Sequence, residues 1–317
     1  MSQPAETKRY YAIALDPIHV GTGGYRLGRV DNSIVRDPGI NLPKIPGTSL
    51  SGACRAYAAM VTGRYPQCAG QGQASSGHCG QPTCPVCVSF GFARERSGFQ
   101  GLAQFADAGI LFFPVHSLAG PVWVTCPSIL RDAGLGVDTQ PADDQIRLAE
   151  GLSAPNNRLN LGWLMLPVEE NGNFTLRSNN LPKEIQDTIL PRSALVPDKL
   201  FAQIVNDNLE VRTSVSIDPK TGAAEEGALF TYEAIPRSTV FWFPITFLRP
   251  EFFTINGQQP TPQINNQQTT VQEVVEKGLI QFEHLGIGGM NTRGMGRLRV
   301  FLQSQNENLE VRYEESR

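Results

Sequence analysis

The sequence contains no apolar run close to the roughly 20 residues that a bilayer-spanning helix needs, and its opening MSQPAETKR lacks the apolar core of a secretory signal. No membrane partner is expected, and the cytoplasm is the compartment to assume. Charge is also scarce: charged residues make up 18% of the chain, with a formal net charge of −3. That balance weighs against nucleic acid as a partner without excluding it, since binding depends on where the cations sit. Only four histidines occur in 317 residues. One of them, His116, stands alone near Pro114 and reads as structural.

What is present points to a soluble globular chain. Hydrophobic residues make up 40% of it, and the length suits one large domain or two small ones. The cations cluster locally, with Arg26, Arg29, Arg36, Lys44 and Arg55 near the start and Arg293, Arg297 and Arg299 near the end. The tail after Asn306 is acidic. A basic groove under an acidic exterior would give this balance.

The chain is organised around Ile13–Arg55. An apolar strand (Tyr10–Leu15) leads into glycines 21, 23, 24 and 28, then Asp31, then Lys44–Ile45–Pro46–Gly47 and a helix over Ser49–Val61. Thr48 or Ser49 is the expected N-cap. A strand, a Gly-rich loop and a helix start bring backbone N–H groups close to a phosphodiester chain. Asp31, next to Asn32, is by itself an ordinary loop-turn residue.

The sharpest local chemistry is a cysteine cluster. Cys68, Cys79, Cys84 and Cys87, four of the six cysteines, fall within twenty residues together with His78. Cys84–Pro85–Val86–Cys87 has the spacing with which two thiolates share a tetrahedral zinc. A cytosolic chain would not use these thiols as a disulfide framework. Cys79, Cys84 and Cys87 are the primary ligands expected, and the fourth is Cys68 or His78. With no ligand position left open, the zinc is expected to be structural.

Farther along, Val88–Phe92, Ala103–Phe112, Val122–Thr125, Leu161–Pro167 and Asn173–Arg177 read as strands, the last two joined at Asn171–Gly172. Asp107 reads as a turn or edge residue. Helical pieces are expected around Asp144–Leu152 and over Asp198–Asn206. Leu209–Ile217 and Gly227–Tyr232, around Asp218–Pro219–Lys220–Thr221–Gly222, form a β-hairpin. Thr239–Phe247 is an aromatic-rich strand. Gln267–His284 is an amphipathic helix capped by Thr269 or Thr270. Five glycines between Gly286 and Gly296 then suit close backbone approach or positive φ. This loop follows a helix and precedes the strand Leu298–Leu302, so it is neither a Walker loop nor a Rossmann fingerprint.

These features together resemble the RAMP superfamily of CRISPR effector proteins. The closing LGIGGMNTRGMGRLRV is similar to that superfamily's glycine-rich loop, and LPKIPGTSLSGACRAY to its P-x-I-P-G-S-S-L-K-G helix entry, with Ser51 where the family commonly has lysine. Among the branches, the type III backbone subunits fit best. IHVGTGGYRLGRVDNSIVRD is similar to their first loop, and GILFFPVHSLAGPVWVTCPSIL and GALFTYEAIP are most like the Cmr (type III-B) filament subunit. CPVCVSFG is more like the Csm (type III-A) zinc-bearing insertion, and the mixture also fits type III-D.

The resemblance implies an α+β fold: a modified ferredoxin-like (RRM-like) core in a single domain, residues 1–317. A zinc-binding insertion would span 62–100 and a thumb hairpin 205–236. It implies a subunit that binds guide CRISPR RNA along a filament, beside copies of itself and the other subunits of a type III complex. Asp31 would support cleavage of complementary target RNA with Mg²⁺ or another divalent cation. The implied RNA-binding residues are His19, Arg26, Lys44, Ser49, Arg55, Gly288, Gly289, Asn291 and Arg293. The alternatives are a non-catalytic filament subunit and a metal-independent RAMP endoribonuclease that processes the guide precursor.

Overall fold

The computed structural model describes residues 3–23, 30–70, 77–95, 97–137, 139–177 and 181–302. Its framework is a large mixed sheet. In chain order its strands are β1 (Ala5–Ala14), β2 (Lys44–Ile45), β3 (Ala103–Phe105), β4 (Ala108–Ser117), β5 (Gly120–Thr125), β6 (Ile146–Ala149), β7 (Arg158–Leu161), β8 (Leu164–Phe174) and β9 (Ser193–Leu195). After β10 (Glu210–Ile217) and β11 (Ala224–Ala234), which pair with each other outside this sheet, β12 (Val240–Leu248) and β13 (Leu298–Phe301) complete it. Across the sheet the order is β7-β8-β6-β9-β5-β4-β12-β1-β13, with β2 beside β4 and β3 beside β12.

The sequence explains where the core lies. β1 starts polar and ends in Tyr10–Ala14, all buried, because that half is flanked by antiparallel neighbours on both edges, β12 and β13. β12 alternates, burying Phe241, Phe243, Ile245 and Phe247. Helices α1 (Gly47–Val61) and α4 (Val271–Ile280) pack on each other. Gly278 permits the contact, since a Cβ there would lie 2.5 Å from the carbonyl oxygen of Cys54. The Cys54 thiol donates to the Val275 carbonyl at 3.3 Å. Thr270 caps α4 in a full capping box with Glu273, as its sequence suggests.

Several local expectations are corrected. α1 begins at Gly47 with no side-chain cap from Thr48 or Ser49; instead the Gly47 N–H donates to Oδ1 of Asp107, 60 residues away, at 2.7 Å. Val88–Phe92 is not a strand: α2 (Pro85–Phe90) starts at a proline suited to a first helical turn, and the Cys84 sulfur accepts the Cys87 N–H at 3.5 Å. Residues 144–152 hold strand β6, since pairing with β8 and β9 overrides a weak helical pattern. The turn between β7 and β8 lies at Gly162, and β8 continues through 171–172 with a register shift between Val168 and Asn173. Ala103–Phe112 is split into β3 and β4 at the two residues that include Asp107. α3 (Asp198–Asp207) matches its expected span closely. No helix among the described residues is long and apolar enough to cross a membrane.

Candidate nucleic-acid interface and metal centre

The hairpin β10–β11 forms its own two-stranded sheet, with most of β10 exposed. Its D-P-K-T-G turn closes as expected. Asp218 exchanges backbone hydrogen bonds with Gly222 and Ala223, and its carboxylate takes the Lys220 N–H at 2.8 Å and the Thr221 hydroxyl at 3.1 Å. Val215, Ile217 and Leu229 are exposed apolar residues along it.

Asp31 lies at the root of this hairpin. Residues 31–32 run alongside the end of β11. The Asn32 N–H donates to the Thr231 carbonyl at 3.0 Å, and the Glu233 N–H to the Asn32 carbonyl at 3.1 Å. Asp31 is exposed, and its Oδ2 accepts the Thr231 N–H at 2.7 Å and the Thr231 hydroxyl at 2.9 Å. Those two bonds, the backbone one foremost, hold its carboxyl below the usual aspartate range. Asp31 is therefore an ionised, surface-facing carboxylate in a fixed orientation. Beneath it, the Glu233 carboxylate pairs with Arg36 at 2.9 Å and takes the Ile34 N–H at 3.2 Å. Arg36 also donates to Asn206 at 2.9 Å. This largely buried pair anchors the first loop to the hairpin.

The closing glycine loop joins the same junction through His19. The His19 carbonyl accepts the Gly289 N–H at 2.8 Å, and its Nδ1 donates to the Glu233 carbonyl at 2.6 Å. Its ring stands edge-on to Tyr232. Gly288, at φ +80°, passes so close to the His19 carbonyl that a Cβ would collide with it. The Gly296 N–H donates to the Pro17 carbonyl and the Ile287 N–H to the Gly296 carbonyl. Tyr232, Ala234 and Met295 make a small apolar cluster between hairpin and loop, with Phe230 and Met290 against it. Arg293 is exposed and lies over the Phe230 ring, 5.9 Å from its centroid, with no ion pair among the described residues.

The expected RNA-binding residues therefore separate. Arg293, Gly288 and Gly289 belong to the junction. Asn291 is there too, but its side chain donates to the Leu285 carbonyl at 2.9 Å and so shapes the loop. His19 is only 6% exposed and its ring is engaged in positioning. Lys44 is held between Asp107 (2.7 Å) and Asp37 (3.4 Å), which raise its pKa and balance its positive charge. Burial disfavours a charged Asp107, but Lys44 and the Gly47 N–H outweigh it and the Asp107 pKa falls. Ser49 is partly exposed on the first turn of α1. Arg55 donates to the Cys68 carbonyl and to the His78 ring, beside the cysteine cluster. Arg26 lies outside the described residues. Thr231 and Glu233 carry no local signal, and Arg36 shows in the sequence only as one of several clustered cations, since their partners are some 200 residues away in the chain.

The cysteines converge. The sulfurs of Cys68, Cys79, Cys84 and Cys87 all lie within 4.8 Å of one another, with Cys68–Cys84 at 3.8 Å and Cys79–Cys87 at 3.9 Å. A tetrahedral zinc with Zn–S bonds of about 2.3 Å requires sulfurs about 3.8 Å apart, so the donor set fits. Hydrogen bonds within the group, from Cys68 foremost, lower the Cys79 pKa and raise those of Cys84 and Cys87. His78 is not part of the group: its Nδ1 accepts from the Arg55 guanidinium at 2.9 Å. Cys54 and Cys126 are core residues, and burial raises the Cys126 pKa to about 12.

Comparison with known proteins identifies the family and the fold. A family model described as the RAMP superfamily matches residues 12–299. The chain is 28% identical to the CRISPR system Cmr endoribonuclease Cmr4 of Pyrococcus furiosus, over 93% of this chain and 95% of that one. Its fold is similar to a chain in the structure of a type III-B Cmr-beta complex bound to cognate target RNA, at a TM-score of 0.64 and 15% identity, covering 93% of this chain and 96% of that one. It is also similar to oligomeric Cmr4 from Pyrococcus furiosus, at a TM-score of 0.57 and 21% identity, covering 93% and 98% of the two chains.

Proposed function

Because the chain belongs to the RAMP superfamily, we propose that it is a backbone subunit of a type III CRISPR ribonucleoprotein, most like the Cmr branch. In this reading it binds guide RNA in a filament with copies of itself and cleaves complementary target RNA. The resemblance to a Cmr endoribonuclease along nearly its whole length supports this reading. The observation that carries the cleavage role is Asp31, an exposed ionised carboxylate fixed at the hairpin root by Thr231. Such a group suits a Mg²⁺ site of the kind made from one or two carboxylates plus substrate phosphate. A divalent cation bound there would offset charge at the scissile phosphate. The chain's own part is to fix where Asp31 sits, through Thr231 and the Arg36–Glu233 pair below it. RNA passing the root would also meet Arg293 and the partly buried Phe230, one cation and one aromatic face, neither of which reads sequence. Ser49 and Arg26 remain proposed contacts. The compartment of this reading is the cytoplasm.

We also assign a structural zinc to Cys68, Cys79, Cys84 and Cys87 within a 62–100 insertion. The sulfur spacing supports it.

A second reading has its own observation. Asp31 Oδ2 already accepts two hydrogen bonds, so the residue also serves as a tie that fixes the hairpin. The discriminating experiment measures cleavage of labelled complementary RNA by assembled complex carrying wild-type, Asp31→Ala or Asp31→Asn subunits, with and without Mg²⁺. Asparagine keeps an oxygen acceptor for Thr231 and loses the charge. Cleavage reduced by about 100-fold or more in both variants, with target binding unchanged and wild-type cleavage requiring metal, is the expected result. Near-wild-type cleavage by Asp31→Asn would leave Asp31 only the tie. Metal-independent cleavage surviving both changes would place the chemistry elsewhere.

A further inference from the structure

Arg55 leaves α1 on the side of the four sulfurs and is partly buried there. Its Nε donates to the Cys68 carbonyl at 2.9 Å, Nη1 to the Phe90 carbonyl at 3.4 Å, and Nη2 to Nδ1 of His78 at 2.9 Å. All three acceptors are neutral. Among the described residues no carboxylate pairs with this guanidinium, although Arg36, Arg147, Arg212, Arg297 and Arg299 each have one. Removing a cation from water without a counter-charge is costly. Burial lowers the Arg55 pKa, and the sulfurs of Cys87, Cys68 and Cys84 act against that shift.

The complementary problem exists at the metal. Four thiolates around Zn²⁺ carry a formal charge of −2, and Cys68, Cys84 and Cys87 are almost fully buried. A guanidinium beside them relieves that excess. We propose that Arg55 is the charge-balancing and positioning residue of the zinc centre, coupling the cysteine loop to helix α1. The inference rests on the zinc assignment made above.

The hydrogen bonds show how the coupling is built. Arg55 holds the carbonyl of one ligand, Cys68, and the ring of the residue before another, Cys79. His78 sits at φ +45°, a left-handed conformation uncommon outside glycine. Its Nδ1 accepts from Arg55, which puts the ring proton on Nε2, and its carbonyl takes a hydrogen bond from Arg94. Arg94 also donates to the Gly77 carbonyl at 3.2 Å. The turn that presents Cys79 is thus fixed from both sides by arginine forks, geometry a lysine does not reproduce. Outer-shell partners of this kind typically change metal affinity 10–100-fold when replaced.

The test uses the full-length chain, with metal content by elemental analysis and zinc release to a chromogenic chelator. Wild type is expected to hold one zinc per chain. Arg55→Met is expected to release it about tenfold faster or more, with Arg55→Lys between the two. In the Co²⁺-substituted proteins, the thiolate-to-metal absorption should move to lower energy in Arg55→Met, because an unbalanced thiolate gives up charge more easily. A purely packing role for Arg55 would not move that band. Should Arg55→Met fail to fold, Arg55→Lys against wild type decides, with release at least about threefold faster expected. Folded, zinc-loaded variants with wild-type release and an unmoved band would overturn the role of Arg55 and leave the zinc. A wild-type chain without zinc would overturn both.

Discussion

At the scale of single residues, the chemistry depends on which charges are already engaged. Lys44 and Arg55 look from sequence like free cations, yet one is ion-paired with Asp107 and Asp37 and the other donates to the Cys68 carbonyl and the His78 ring. Asp31 looks like a turn residue and is a fixed exposed anion. Its pH behaviour follows from the direction of its shift. The folded-state pKa lies below the unfolded value of about 3.9, so its contribution is fully present above that value and disappears as pH falls through the lower folded one. Asp31 stays ionised across roughly pH 5–8. The rate of target cleavage should therefore show no acid limb from Asp31 in that window, which a pH–rate profile of wild-type complex checks. An inflection near pH 6 that vanishes in Asp31→Asn would contradict this. None of these engagements was legible locally, because each is set by a partner brought in by the fold.

At the scale of elements, three segments far apart in sequence meet: the first loop, the hairpin root and the glycine loop. The Arg36–Glu233 pair clamps two of them, and His19 links all three. Removing one partner of a largely buried ion pair leaves the other uncompensated. Arg36→Met is expected to lower stability by about 3 kcal/mol and to loosen the hairpin root. Denaturant unfolding checks the first part, and amide exchange at Thr231–Ala234 checks the second. Unchanged exchange there would show that the glycine loop alone holds the root. The elements themselves were partly readable. The hairpin, α3 and capped α4 follow from turn chemistry, amphipathic spacing and a capping box, all local signals. α2 and β6 were misread because short apolar or mixed runs take their state from neighbours, here the cysteine loop and the adjoining strands.

At the scale of the whole molecule, a large sheet carries a hairpin that stands apart from it and exposes Val215, Ile217 and Leu229. Solvent-facing positions contribute little to folding, typically within about 0.5 kcal/mol. Replacing Ile217 and Leu229 together with serine should leave the melting temperature of the isolated chain nearly unchanged. It should weaken assembly on guide RNA, read by sedimentation of chain mixed with guide. A large fall in melting temperature would mean the hairpin packs on its own chain, and unaltered assembly would remove it from the filament contact.

The sequence by itself determined the RAMP family, the α+β class and the cysteine group, because each rests on short local motifs. Tertiary structure decided the rest. It grouped Cys68 rather than His78 with the other cysteines by turning the histidine to Arg55, gave Arg55 and Lys44 partners within the chain, and capped α1 with Asp107. It also put Thr231 beneath Asp31. The physical reason is the same throughout. A local run fixes backbone tendency and ligand spacing, while the charge partner and burial of a side chain depend on what a distant segment brings beside it.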